Sequence, residues 1–253
     1  MFLRAFGNTP DVMEQEYGPY SDRSRFLAVI DDSDGSALGT IRLIAPDDTS
    51  PVKTLTDVAG EPWHLSVPTV LRTAGLSGRP VWDVASLAVD RRYRSGTAGA
   101  EITLALCHGL HQYLRNCGVQ GLVTILDDRV LRLLRAMGQP WTPMAGATSQ
   151  YYLGSPASTP CICRVGSVAQ SIRTLRPDLA PAILDGSLPS IAVDPTDLLP
   201  CRGGALSHVT APGQSNGQSR APRGASGWKP PTHRRSRLLV GSPSPDGGHS
   251  PTG

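Results

Sequence analysis

Apolar and polar positions alternate most clearly near the start of the chain. Arg25-Phe26-Leu27-Ala28-Val29-Ile30 predicts a strand, and Ala37–Ile44, stopped by Pro46, predicts its partner. The connection Asp31-Asp32-Ser33-Asp34-Gly35 is short and polar, with a glycine free to take positive φ, so the two should pair antiparallel. Ahead of them only a short helix around Val12–Tyr17 is expected. Residues 46–80 are broken by Pro46, Pro51 and Pro62 and read as an excursion holding one short helix, Val67–Ala74.

A third strand, Val81–Val89, leads through a turn into the longest helical pattern in the chain. Between Ala100 and Cys117 the apolar residues Ile102, Leu106, Leu110, Tyr113, Leu114 and Cys117 recur at intervals of three and four, and Gly118 follows as a stop. Val119–Leu126 is a nearly continuous apolar run, as expected of a strand covered on both faces. A helix over Arg129–Met137, capped by Asp127 or Asp128, comes next. Strands at Ser149–Leu153 and Cys161–Val165 and helices at Val168–Leu175 and Pro181–Leu184 complete the pattern. The order predicts an α/β (α+β) domain over residues 1–200: a mixed, twisted β-sheet flanked by helices, with a parallel strand–helix–strand unit at its centre.

Composition changes this picture mainly at the end of the chain. Residues 202–253 hold ten Gly, seven Pro and eight Ser, and six Arg plus Lys229 face only Asp246 there, a net of +6. The whole chain carries +3, so residues 1–201 carry about −3, and the basicity belongs to a segment expected to be a disordered tail. Its apolar island Leu238-Leu239-Val240 is too short to be expected in the fold, and with Trp228 as its one aromatic it argues against a nucleic-acid module. No apolar run nears the roughly 20 residues of a membrane span, and the N-terminus lacks an export signal. Five cysteines without framework spacing fit a reducing, cytoplasmic setting.

Candidate chemistry centres on Trp82–Glu101. A strand feeding a glycine-bearing turn into a helix N-terminus presents unpaired backbone N–H groups and the positive end of the helix dipole. Arg91, Arg92 and Arg94 add three charges to that turn, which suits a phosphate; a solvated basic turn is the simpler alternative. Arg129, Arg132 and Arg135 form a basic stripe that could meet an acidic carrier protein or simply face solvent. His108 and His111 lack a third ligand at convincing spacing, so no metal is expected, and Cys161 and Cys163 should pack. Glu101, in the first turn, should complement the dipole.

Three stretches resemble one family. Trp82-Asp83-Val84-Ala85-Ser86-Leu87-Ala88-Val89 is similar to Trp-Glu-(Leu/Ile)-Ser-Arg-(Phe/Leu)-Ala-Val, Gly39–Pro46 to Gly-x-x-Arg-Leu-Leu-Pro, and Val123–Gly138 to a strand followed by a helix ending in Leu-x-x-x-Gly. These are marks of the Gcn5-related N-acyltransferase fold, in the branch of autoinducer synthases and long-chain N-acyl amino acid synthases. The resemblance implies an acyltransferase that takes an acyl group from acyl-CoA or an acyl-phosphopantetheine carrier protein to a small-molecule amine, with no permanently bound cofactor. It also implies one more strand, ahead of residue 1.

On that resemblance, a bulge near Leu87–Val89 should turn backbone N–H groups to the thioester. Arg91, Arg92, Arg94, Gly96 and Gly99 should hold its phosphates. Asp83 and Ser86 stand at the catalytic positions, although the family's Glu is here Asp83 and its Arg is Ser86. Asp83 is the candidate base, provided burial lifts it from an ordinary pKa of about 4; the alternative is an ion pair with Arg42. Arg42 is otherwise a candidate for the acceptor's carboxylate. A non-catalytic acyl- or CoA-binding module on the same fold is the second function these residues allow.

Overall fold

The computed structural model describes residues 9–48, 50–199 and 236–242. Helix α1 (Pro10–Tyr17) begins at Thr9, whose hydroxyl accepts the Val12 amide, and leads by a 3-10 turn into the hairpin β1 (Ser24–Asp31) and β2 (Ala37–Ile44). The excursion holds two helices, α2 (Lys53–Ala59) and α3 (Val67–Thr73); sequence periodicity shows only the second. β3 (Val81–Val89) passes through a 3-10 turn (Arg91–Tyr93) into α4 (Gly96–Asn116), which begins four residues earlier than its apolar stripe suggests. β4 (Gly121–Asp127), α5 (Asp128–Ala136) and the short β5 (Thr142–Pro143) and β6 (Gln150–Tyr152) follow. Then come β7 (Ser155–Arg164), α6 (Val165–Leu175), α7 (Ala180–Asp185), β8 (Ile191–Ala192) and β9 (Ser236–Gly241).

These strands form one mixed sheet in the order β5-β7-β4-β3-β2-β1-β9-β8, with β6 on β7. The expected parallel unit is present: β3 and β4 run parallel and are joined through α4. Alternation along the strands divides the core. Leu122, Cys161 and Cys163 point to the layer of α4, α5, α6 and α7, whereas Val81, Val123 and Ile162 point to the layer of α1, α2 and α3. Helix α4 lies so close over β2 that a Cβ on Gly39 would crowd the side chains of Ile102 and Leu106.

One expectation is corrected here. Leu238-Leu239-Val240 is not a bystander, because β9 pairs antiparallel with β1 from Asp31↔Ser236 to Phe26↔Gly241. Leu238 is fully buried, and its side chain fills the space that Gly109 of α4 leaves open. The outer side of β1 is thus taken by a strand from far along the chain. The remainder of the expected tail lies outside the described residues.

Among the described residues no helix is long and apolar enough to cross a membrane, and no cluster of ligating side chains could hold a metal.

Candidate active site

The site is built by a split in the sheet. β3 and β4 pair only at their amino ends, Val81↔Gly121 to Asp83↔Val123, and diverge beyond. At the same place β3 carries a bulge. Arg42 of β2 faces Ser86 and Leu43 faces Val84, so Ala85 has no ladder partner on β2. The bulge sits ahead of the Leu87–Val89 stretch where it was expected. Thr124 on β4 donates its hydroxyl to the Val84 carbonyl at 2.8 Å, and Tyr17 at the end of α1 donates its phenol to the Ala85 carbonyl at 3.3 Å.

The gap encloses a cavity of about 130 Å³ at the carboxyl ends of the two strands, where open α/β sheets place their ligands. On the α4–α5 side its walls are mostly apolar, with Leu110, Val130, Leu134 and Trp141 beside Asp127 and Gln139. On the α1 side they include Tyr17 and Tyr152. Val84 through Leu87 line it directly, Ser86 and Leu87 among them.

Beyond the cavity lies the basic turn. Gly96 takes φ of +78°, and Gly99 is a close-approach position where any Cβ would strike the Tyr93 carbonyl. The Ser95 side chain makes no capping bond at the α4 N-terminus, so its first amides are not claimed by a cap. Arg91, Arg92 and Arg94 are exposed. Arg92 pairs with Asp90, and Arg94 bonds the Val89 carbonyl at 3.0 Å, which folds the turn back onto the end of β3.

Asp83 does not line the cavity. It is buried on the α2 side, where its carboxylate accepts the Thr54 amide at 2.6 Å and the Thr54 hydroxyl at 3.0 Å. Burial raises its pKa; the Thr54 bonds oppose this, neighbouring Asp57 adds to it, and the result is about 7. The lift that a base requires is therefore present, but the carboxylate meets Thr54 and neither the cavity nor Arg42. Arg42 donates to Ser24 Oγ at 2.8 Å and to the Tyr17 carbonyl at 3.0 Å, and lies over the rings of Tyr17 and Phe26. The structure thus makes Arg42 a clamp on Tyr17.

Sequence reasoning did not find the polar cluster beneath the two tyrosines. Lys53, only 4% exposed, holds Glu16 and Asp57 at 2.6 Å each and touches the Tyr152 hydroxyl at 3.0 Å. Burial opposes the Lys53 charge, but the two carboxylates outweigh it and keep its pKa above the ordinary value. Tyr152 donates a short hydrogen bond to Asp57, and burial together with that carboxylate holds its phenol firmly neutral. Burial also leads the rise in the Tyr17 pKa, with Asp83 and Asp57 adding to it. The one sequence signal was the i, i+4 spacing of Lys53 and Asp57, which ordinarily marks a solvated helix face.

The remaining candidates fall outside the site. Asp127 lines the cavity but is tied to Arg129 and Ser155; the Arg129 bond leads in holding it at about 2, too acidic for a base. Arg135 is spent on the Trp141 carbonyl, so of the basic stripe only Arg132 has no such tie described. Glu101 accepts the Ser190 amide, a tertiary bond in addition to any dipole role. His108 and His111 are core residues, and Cys107, Cys161 and Cys163 are buried free thiols.

No protein-family model and no curated protein matches the chain. Solved structures similar to it include a CoA-dependent acyl-homoserine lactone synthase, BjaI, determined with MTA (17% identity, 73% of this chain and 79% of that one, TM-score 0.49). Another is FeeM, an N-acyl amino acid synthase from uncultured soil microbes (13% identity, 56% and 68%, TM-score 0.42). A third is the acyl-homoserine lactone synthase LasI (19% identity, 57% and 66%, TM-score 0.38).

Proposed function

We propose that the protein transfers an acyl group from a thioester, acyl-CoA or the acyl-phosphopantetheine arm of a carrier protein, to the amine of a small molecule. The observation that carries this reading is the cavity itself. It is apolar at one end and tyrosine-lined at the other, and it opens between two parallel strands beside a bulge.

Beyond Asp83 the edge of β3 that faces β4 has no ladder partner, so the amides of a pantetheine arm can add to it as a strand would. The turn from Arg91 to Gly99, with the uncapped α4 amides, takes the phosphates. The acyl chain lies among Leu87, Leu110, Val130 and Leu134, and the amine approaches from Tyr17 and Tyr152.

The amine nitrogen attacks the thioester carbonyl, and the oxyanion forms beside the backbone of Ala85 and Ser86. A C–N bond forms and the C–S bond breaks. The nitrogen passes its proton to the Tyr152 oxygen as the Tyr152 proton moves to Asp57, and the relay returns a proton to the departing sulfur. Asp83 works from beneath as a positioning residue. Its charge changes near neutral pH beside Asp57 and Lys53.

The test is incubation with a panel of acyl-CoAs or loaded carrier protein, with and without amines, while thiol release is followed. Amine-dependent release is expected. Binding without it would leave the cavity a non-catalytic acyl-binding site. Tyr152→Phe, which keeps the ring and removes the relay, should lower turnover by on the order of a hundredfold with the fold intact. Wild-type turnover in that variant would remove Tyr152 from the reaction.

A further inference from the structure

A second, smaller cavity of about 20 Å³ lies behind the first, under α4 and α6, lined by Leu114, Leu122, Cys163, Val168 and Ile183 among others. Cys107, Leu110, Gln139 and Trp141 line both cavities and so form the wall between them. That wall is held by hydrogen bonds. Gln139 Nε2 donates to Cys107 Sγ at 3.0 Å, and Trp141 Nε1 donates to Gln139 Oε1 at 3.1 Å.

Each member of this chain is buried: Cys107 at 3%, Gln139 at 8% and Trp141 at 2% exposure. A buried amide is costly unless bonded, and Gln139 meets that need with its two neighbours in the wall. The Cys107 thiol is pushed up to about 12 by burial, so it stays a neutral partner. Behind the wall the lining is again mostly apolar, apart from His111, whose pKa burial lowers to about 4 and which is therefore uncharged.

We propose that Gln139, braced by Cys107 and Trp141, is the stop that sets the length of acyl chain the protein accepts. This rests on the acyl-transfer reading above. The cavity in front of Gln139 holds the chain, and the bulk of that side chain turns the methyl end back from the space beyond. Shortening the side chain joins the two cavities and admits a longer chain. Two more buried methylenes shift the preference about tenfold.

The experiment compares wild type, Gln139→Ala, Gln139→Leu and Cys107→Ala across saturated acyl-CoAs of increasing length, measuring both binding and amine-dependent thiol release. Gln139→Ala should move the optimum to chains at least two carbons longer. Cys107→Ala, which thins the same wall from α4, should move it in the same direction. Gln139→Leu, which keeps the bulk, should hold the wild-type optimum. An unchanged optimum in both alanine variants, or an equal shift in the leucine variant, overturns the stop while leaving acyl transfer standing. A wild-type protein that binds no acyl-CoA of any length overturns acyl transfer, and the stop with it.

Discussion

A protein ending at residue 235 is expected to lose its cooperative fold rather than shed a tail. β9 would be missing, and with it the ladder from Asp31↔Ser236 to Phe26↔Gly241 and the fully buried Leu238. Leu238 fills the space over Gly109, so its loss opens a hole between the sheet and α4, the longest helix. Truncating one buried leucine to alanine costs about 2–5 kcal/mol, against total stabilities of about 5–15 kcal/mol. Leu238→Asp adds an unpaired buried charge and should approach the effect of the deletion. Denaturant unfolding followed by circular dichroism would measure both. A shortened protein with the midpoint of the full chain would show that β9 contributes nothing.

The second large effect is expected at Asp83. In the folded protein its pKa is about 7, whereas in the unfolded chain it is near the ordinary value of about 4. Between those values the folded state keeps a proton that the unfolded state has released. The contribution of Asp83 to stability is therefore greatest below about pH 4 and falls as pH rises towards 7, by an amount on the order of a few kcal/mol. Asp83→Asn should abolish that slope and be the more stable protein above pH 7. The amide oxygen can accept the Thr54 amide, and its NH₂ can meet the Thr54 hydroxyl. Turnover should fall in the same variant, and its pH profile should lose the inflection near 7. Parallel stability curves in the two proteins would show that Asp83 does not titrate there, and equal turnover would take it out of the reaction.

Much of this fold is legible in the residues. β2 and β3 follow from alternation that proline or a polar turn cuts off cleanly, and the buried side of α4 follows from a stripe at helical spacing. The start of α4 is hidden because Gly96 and Gly99 are poor helix formers, needed there for the turn and the approach to Tyr93. α2 is hidden because Lys53, Thr54 and Asp57, polar residues that read as surface, are turned inward. The cluster under Tyr17 and Tyr152 joins residues from α1, α2 and β6 that no local pattern connects. β9 is hidden for a related reason: three apolar residues in a Gly/Pro/Ser-rich stretch gain their meaning only from a partner strand far away in the chain.

The split between β3 and β4 also has a signature in time. Backbone amides locked in ladders exchange with solvent only when the structure opens, whereas those along an unpaired edge exchange from the native state. From Val84 to Leu87 the edge of β3 that faces β4 should therefore be a fast-exchanging window inside an otherwise protected sheet. If a thioester docks there as a strand does, that window should slow on adding acyl-CoA, while the β1–β2 ladder stays as it was. A window that keeps its rate under saturating acyl-CoA would mean that the edge is not where the donor lies.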